Sequence, residues 1–163
     1  MIRDSVSWRS LWTVRRFVDE RAWRRGTGVP YSKTYFRDNV ALNEGLQQLI
    51  EDAILGTGGL TKWNNANARL GVGDSSAAEA PTQVGLQGAT SFKGMDATYP
   101  QRISGQTARF RSTFQSTEGN QSWQEFTADN GAAAGINLNR KVSNQGSKVS
   151  GQVWELTLDI ALS

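Results

Sequence analysis

Trp154-Glu155-Leu156-Thr157-Leu158-Asp159-Ile160-Ala161-Leu162 is the stretch that decides the fold. Trp154, Leu156, Leu158, Ile160 and Leu162 share one parity, and Glu155, Thr157 and Asp159 share the other. Five same-parity apolar residues fit a strand with one buried face and exclude a helix. A slip of one residue would turn all five to the wrong side, so the register is tightly specified. A strand this apolar aggregates at an open edge. It therefore belongs in a core, or in a sheet shared between subunits.

Upstream the same pattern returns in shorter pieces. Ala108, Phe110, Ser112 and Phe114 alternate with Arg109, Arg111 and Thr113, giving one buried and one charged face. Glu118-Gly119-Asn120 separates this run from a partner strand over 123–128, and Asp129-Asn130-Gly131 is a turn signal. Ala68, Leu70 and Val72 alternate with Arg69 and Gly71 ahead of a turn at 73–76, and the small, polar residues 75–91 read as a surface loop. Strands at short intervals predict a mainly β domain over 31–163, a β-sandwich or jelly-roll-like arrangement. One helix interrupts it near 43–55. Asn43 can cap that helix, Leu46, Leu49, Ile50, Ala53 and Ile54 recur at helical spacing, and Gly56, Gly58 and Gly59 end it. Its apolar face must lie on a sheet or on a neighbouring subunit.

The first 30 residues differ in composition. Residues 8–18 fit a strand through Trp12, Val14 and Val18, and a helix through Trp8, Leu11, Trp12 and Arg15; β-branched and aromatic content favours the strand. Gly26-Thr27-Gly28-Val29-Pro30 breaks the chain, and Tyr31 to Val40 resumes an extended run with Tyr31, Lys33 and Tyr35 on one face. The net charge of +3 hides an asymmetry: residues 1–40 hold nine Lys/Arg against four acids, whereas the remainder holds nine against eleven. Such a leading segment suggests an extended N-terminal arm, 1–30, that docks on something acidic. Its candidate partner-binding residues are Trp8, Arg9, Trp12, Arg15, Arg16, Trp23, Arg24 and Arg25. Arginine suits bidentate contacts and tryptophan fills interface pockets. No nucleic-acid module surrounds them, so a protein surface is favoured over nucleic acid as the partner.

Composition removes much chemistry. With no Cys and no His, the 163 residues offer no disulfide, no thiolate metal site, no Ser-His or Cys-His set and no imidazole base. No apolar run reaches the roughly 20 residues that span a bilayer. Met1-Ile2-Arg3-Asp4 lacks a signal-peptide core, so the expected setting is a reducing cytosol. Gly71-Val72-Gly73-Asp74-Ser75 lacks the lysine and hydroxyl that complete a phosphate loop, and Asp74, Glu79 and Asp96 match no calcium loop. Glu155 and Asp159 stand about 13 Å apart along a strand, too far for a glycosidase pair. Glu125 is explained by a cross-strand pair with Arg109 or Arg111. The expectation is a protein that is not an enzyme, with no catalytic, cofactor-binding or metal residues.

Several stretches carry a resemblance. Asn39-Val40-Ala41-Leu42-Asn43-Glu44-Gly45-Leu46, Asn64-Asn65-Ala66-Asn67-Ala68-Arg69-Leu70-Gly71-Val72-Gly73-Asp74-Ser75 and Gln83-Val84-Gly85-Leu86-Gln87-Gly88 are among them. Met95-Asp96-Ala97 with Tyr99-Pro100, Trp123-Gln124-Glu125, Asn137-Leu138-Asn139-Arg140-Lys141 and Trp154-Glu155-Leu156-Thr157-Leu158 complete the set. Over residues 31–163 the chain resembles a group of small tailed-bacteriophage virion structural proteins, the capsid decoration and tail-fibre-like accessory proteins. The resemblance implies a virion component made in the host bacterial cytoplasm, with self-association and the major capsid protein or other virion proteins as partners. A head decoration (cement) protein stabilising capsomer junctions is one assignment. A tail, neck, baseplate or fibre-attachment component is another. Apart from the resemblance, a third reading of another class is a carbohydrate-binding host-recognition module using Trp63, Tyr99 and Trp123 on exposed loops.

Overall fold

The computed structural model describes residues 7–25, 29–131 and 135–163. Residues 1–6 of the expected arm and the break at 26–28 lie outside these. Ten strands and two helices follow in the order β1 (Trp8–Phe17), α1 (Glu20–Arg24), β2 (Ser32–Arg37), β3 (Val40–Ala41), α2 (Asn43–Ala53), β4 (Arg69–Gly73), β5 (Thr90–Gly94), β6 (Gln101–Ser104), β7 (Thr107–Phe114), β8 (Glu125–Asp129), β9 (Asn139–Val142) and β10 (Val153–Leu162). They form two antiparallel sheets of five strands, ordered β2-β1-β10-β7-β6 and β3-β9-β8-β4-β5. Consecutive strands pair as hairpins within a sheet (β1–β2, β4–β5, β6–β7, β8–β9), which is the sandwich of the two expected arrangements.

The closing strand takes the place its alternation demands. β10 is the middle strand of the first sheet, between β1 and β7, and Trp154, Leu156, Leu158 and Ile160 face inward. They meet Leu70, Val72, Phe126 and Ala128 of the second sheet. Rings bridge the two layers: Trp123 packs edge-on against Trp154 at 4.9 Å, and Trp12 lies 5.7 Å from Phe126.

Three expectations are corrected. Residues 8–17 are not an arm. As β1 they pair with β10 from Trp8↔Leu162 to Phe17↔Val153 and with β2 along the other edge, because Trp12, Val14 and Phe17 are needed in the core. There are two helices among the described residues, the extra one being short α1, whose N-terminus is capped by the Asp19 carboxylate accepting from Ala22 N–H at 2.7 Å. Finally, Asn43 does not cap α2; Leu42 holds that position without a side-chain bond. Leu42 is fully buried and its N–H donates to Leu138 O, so packing rather than capping chemistry sets where the helix begins. No helix among the described residues is long and apolar enough to cross a membrane.

Candidate functional site

β1 sends successive side chains to opposite faces and so divides the expected docking residues. Trp12 is completely buried against Phe36 and Phe126. Arg16, 6% exposed, lies over the Trp154 ring and donates to Thr34 Oγ1 at 2.9 Å and Gln145 O at 2.8 Å; loss of solvent lowers its pKa. Neither can reach a partner, which corrects their assignment. Trp8 is half-buried, its indole N–H on Asn39 Oδ1 at 2.8 Å. Arg9 is exposed, and Arg15 pairs with Glu155 at 2.9 Å on the outer face. Trp23 is half-buried on α1, where Arg24 bonds Glu20, and Arg25 follows exposed. The eight residues make no single patch.

Glu125 and Arg140 are both inaccessible to solvent and form an ion pair, Arg140 Nε donating to Glu125 Oε2 at 2.8 Å. Glu125 also accepts from the N–H of Gln87 and Gly88, and Arg140 donates to Ala77 O and Gln83 Oε1. The expected partners Arg109 and Arg111 are in the other sheet, on Asp159 and Asp96. The pair pins residues 74–89, the loop between β4 and β5, to the second sheet; the expected loop over 75–91 ends two residues early because Thr90 and Ser91 open β5. Trp123 is also fully buried, its indole N–H on Gly119 O, so it offers no platform to a sugar.

Two outward features remain. The first is α2, which is mounted inside out. Gly45 and Gln48 are its buried residues. A Cβ at Gly45 would stand 2.6 Å from Leu138 Cα, so only glycine lets the helix backbone approach so closely. The Gln48 amide donates to Thr61 O at 2.5 Å and accepts from Asn130. Leu49 turns inward to a narrow apolar cleft of about 180 Å³ shared with Trp8, Trp63, Leu138, Ile160 and Leu162. Leu46, Ile50 and Ile54, one turn apart in sequence, stand 38%, 50% and 75% exposed, with Leu55 beside them.

The second is a trough of about 420 Å³ on the outer face of the first sheet. Strand register sets out its floor in three rows. Lys33, Arg15 and Glu155 form one; Tyr35, Thr13, Thr157 and Arg111 the next; Leu11, Asp159 and Arg109 the third. The two threonines are short, so the middle row is low, and it runs about 14 Å across four strands. Aromatic rings stand at both ends: Tyr35, and Tyr99 with the Arg111 guanidinium 4.3 Å from its centroid. Arg109 grips Asp159 through two bonds of 2.7 Å, which raise its pKa above the usual guanidinium value. The sequence had shown Lys33 with Tyr35, Arg109 with Arg111, and Glu155 with Thr157 and Asp159 as outward sets; which strands lie side by side was the missing fact.

Comparison with known proteins finds no matching family model, no similar curated protein and no similar solved structure.

Proposed function

We propose that this chain is a structural protein of a tailed-bacteriophage virion, acting by docking rather than by catalysis, and that it is a head decoration protein cementing capsid subunits. The resemblance over residues 31–163 supports the virion setting. The observation that carries the docking reading is the inverted helix α2, whose Leu46 and Ile50, with Ile54 at its C-cap, face solvent while Gly45 and Gln48 face the body. Covering each of these half-exposed side chains contributes roughly 1–2 kcal/mol to association. Many symmetry-related copies multiply that gain across a shell. In this mechanism α2 takes over the docking role expected of residues 1–30, since Trp12 and Arg16 are committed to the core.

Cosedimentation with empty heads and, separately, with purified tails tests the proposal. Saturable binding to heads is expected, with Ile50→Glu combined with Ile54→Glu abolishing it while the melting temperature stays unchanged. Binding to tails alone would overturn the decoration assignment and place the protein in the neck, tube or baseplate. Wild-type affinity of the double variant for heads would remove α2 from the interface.

A further inference from the structure

We infer that the trough on the outer face of the first sheet binds an oligosaccharide that carries a carboxylate. The inference is independent of the virion proposal and of α2.

Sugar hydroxyls donate and accept hydrogen bonds from neighbouring atoms, so a site for them needs both kinds of group interleaved at short range. The floor supplies this: guanidinium donors from Arg15, Arg109 and Arg111, carboxylate acceptors from Glu155 and Asp159, and the two-way hydroxyls of Thr13 and Thr157. Pyranose rings also present flat C–H faces, which pack on aromatic rings. Tyr35, 58% exposed, and Tyr99 stand where a short chain lying across the threonines would meet one ring at each end. The volume falls within the range of small-ligand sites.

Charge narrows the ligand. Arg15 is matched by Glu155, Arg109 by Asp159 and Arg111 by Asp96. Lys33 lines the same trough with no carboxylate partner among the described residues; its ammonium lies 4.8 Å from the Tyr35 ring centroid. One uncompensated cation beside an aromatic platform suits one acidic sugar stacked there. It does not suit a polyphosphate chain, whose successive charges would run over Glu155 and Asp159. Nor does it suit an apolar peptide, which would strip solvent from these ions without replacing it.

Isothermal titration calorimetry with 3′-sialyllactose and 6′-sialyllactose, acidic trisaccharides that each carry a single carboxylate, tests the site, with maltotriose and tripolyphosphate as controls. Saturable binding of at least one acidic trisaccharide is expected, tighter than either control. Tyr35→Ala, and Thr157→Trp to fill the low row, should each weaken it about tenfold or more, near 1.4 kcal/mol. Lys33→Met should bring the acidic sugar down to the level of the neutral one. Absence of saturable heat with both acidic trisaccharides would overturn the inference. So would equal binding of tripolyphosphate, or an affinity indifferent to Tyr35→Ala. The Ile50→Glu, Ile54→Glu protein should keep its sugar binding, so the two proposals fail separately.

Discussion

At the scale of single residues, Lys148 is the clearest case of a cost held inside the fold. It is 1% exposed, and its ammonium donates to Gln115 O and Asn120 Oδ1, each at 2.8 Å. Burial pushes its pKa down to about 8, against a smaller upward pull from Glu118. Below pH 8 the lysine is protonated in both the folded and the unfolded chain, and the folded state carries the whole desolvation cost. Between about pH 8 and the ordinary lysine value near 10.4, the unfolded chain keeps a proton that the folded one has released. Stability contributed by this residue therefore rises with pH across that window. Melting curves of wild type and Lys148→Met should differ by a constant amount from pH 5 to 7. Above pH 8 the wild type should gain on the variant, with a slope approaching about 1.4 kcal/mol per pH unit. A pH-independent difference would mean that the ammonium is effectively solvated.

At the scale of elements, β10 and α2 show what a pattern can and cannot disclose. Alternation over Trp154 to Leu162 leaves no other period open, and the strand sits where that pattern puts it. Residues 8–18 fit two periods; their β-branched and aromatic content favours the strand, and pairing with β10 and β2 bears that out as β1. The short strands β5, β6 and β9 went unread, and of β3 only Val40 was reached, because two to five residues take their form from the neighbour's hydrogen bonds rather than from a pattern of their own. The helix was legible in position but not in orientation. Periodicity locates the apolar stripe of α2, and the usual inference turns that stripe inward; the missing Cβ of Gly45 and the amide of Gln48 turn the other side in instead. The trough lay hidden for a related reason, since its parts come from strands far apart in sequence. Gly45→Ala should destabilise by about 1–2 kcal/mol, the clash with Leu138 outweighing the gain in helix propensity. Ile50→Glu, on the solvent side, should stay within about 0.5 kcal/mol of wild type. Chemical denaturation of both variants checks the pair, and the reverse ranking would mean that α2 docks by its apolar face.

At the scale of the whole molecule, β1 makes residues 7–17 part of the body. Deleting the first 17 residues should abolish the cooperative thermal transition, because β2 and β10 lose their shared neighbour and the core loses Trp12, Val14 and Phe17. A truncated protein that melted like wild type would return the segment to the status of an arm. The same strand pair has a mechanical side. Ser7 and Ser163 exchange backbone hydrogen bonds at one end of β1 and β10, so both ends of the described chain leave the sandwich at one corner. Tension applied through those two ends peels the pair open one bond at a time, as a zipper does. Load spread across the strands of both sheets instead strains many bonds together. The sandwich resists load spread over its strands and yields first where Ser7 and Ser163 are pulled apart.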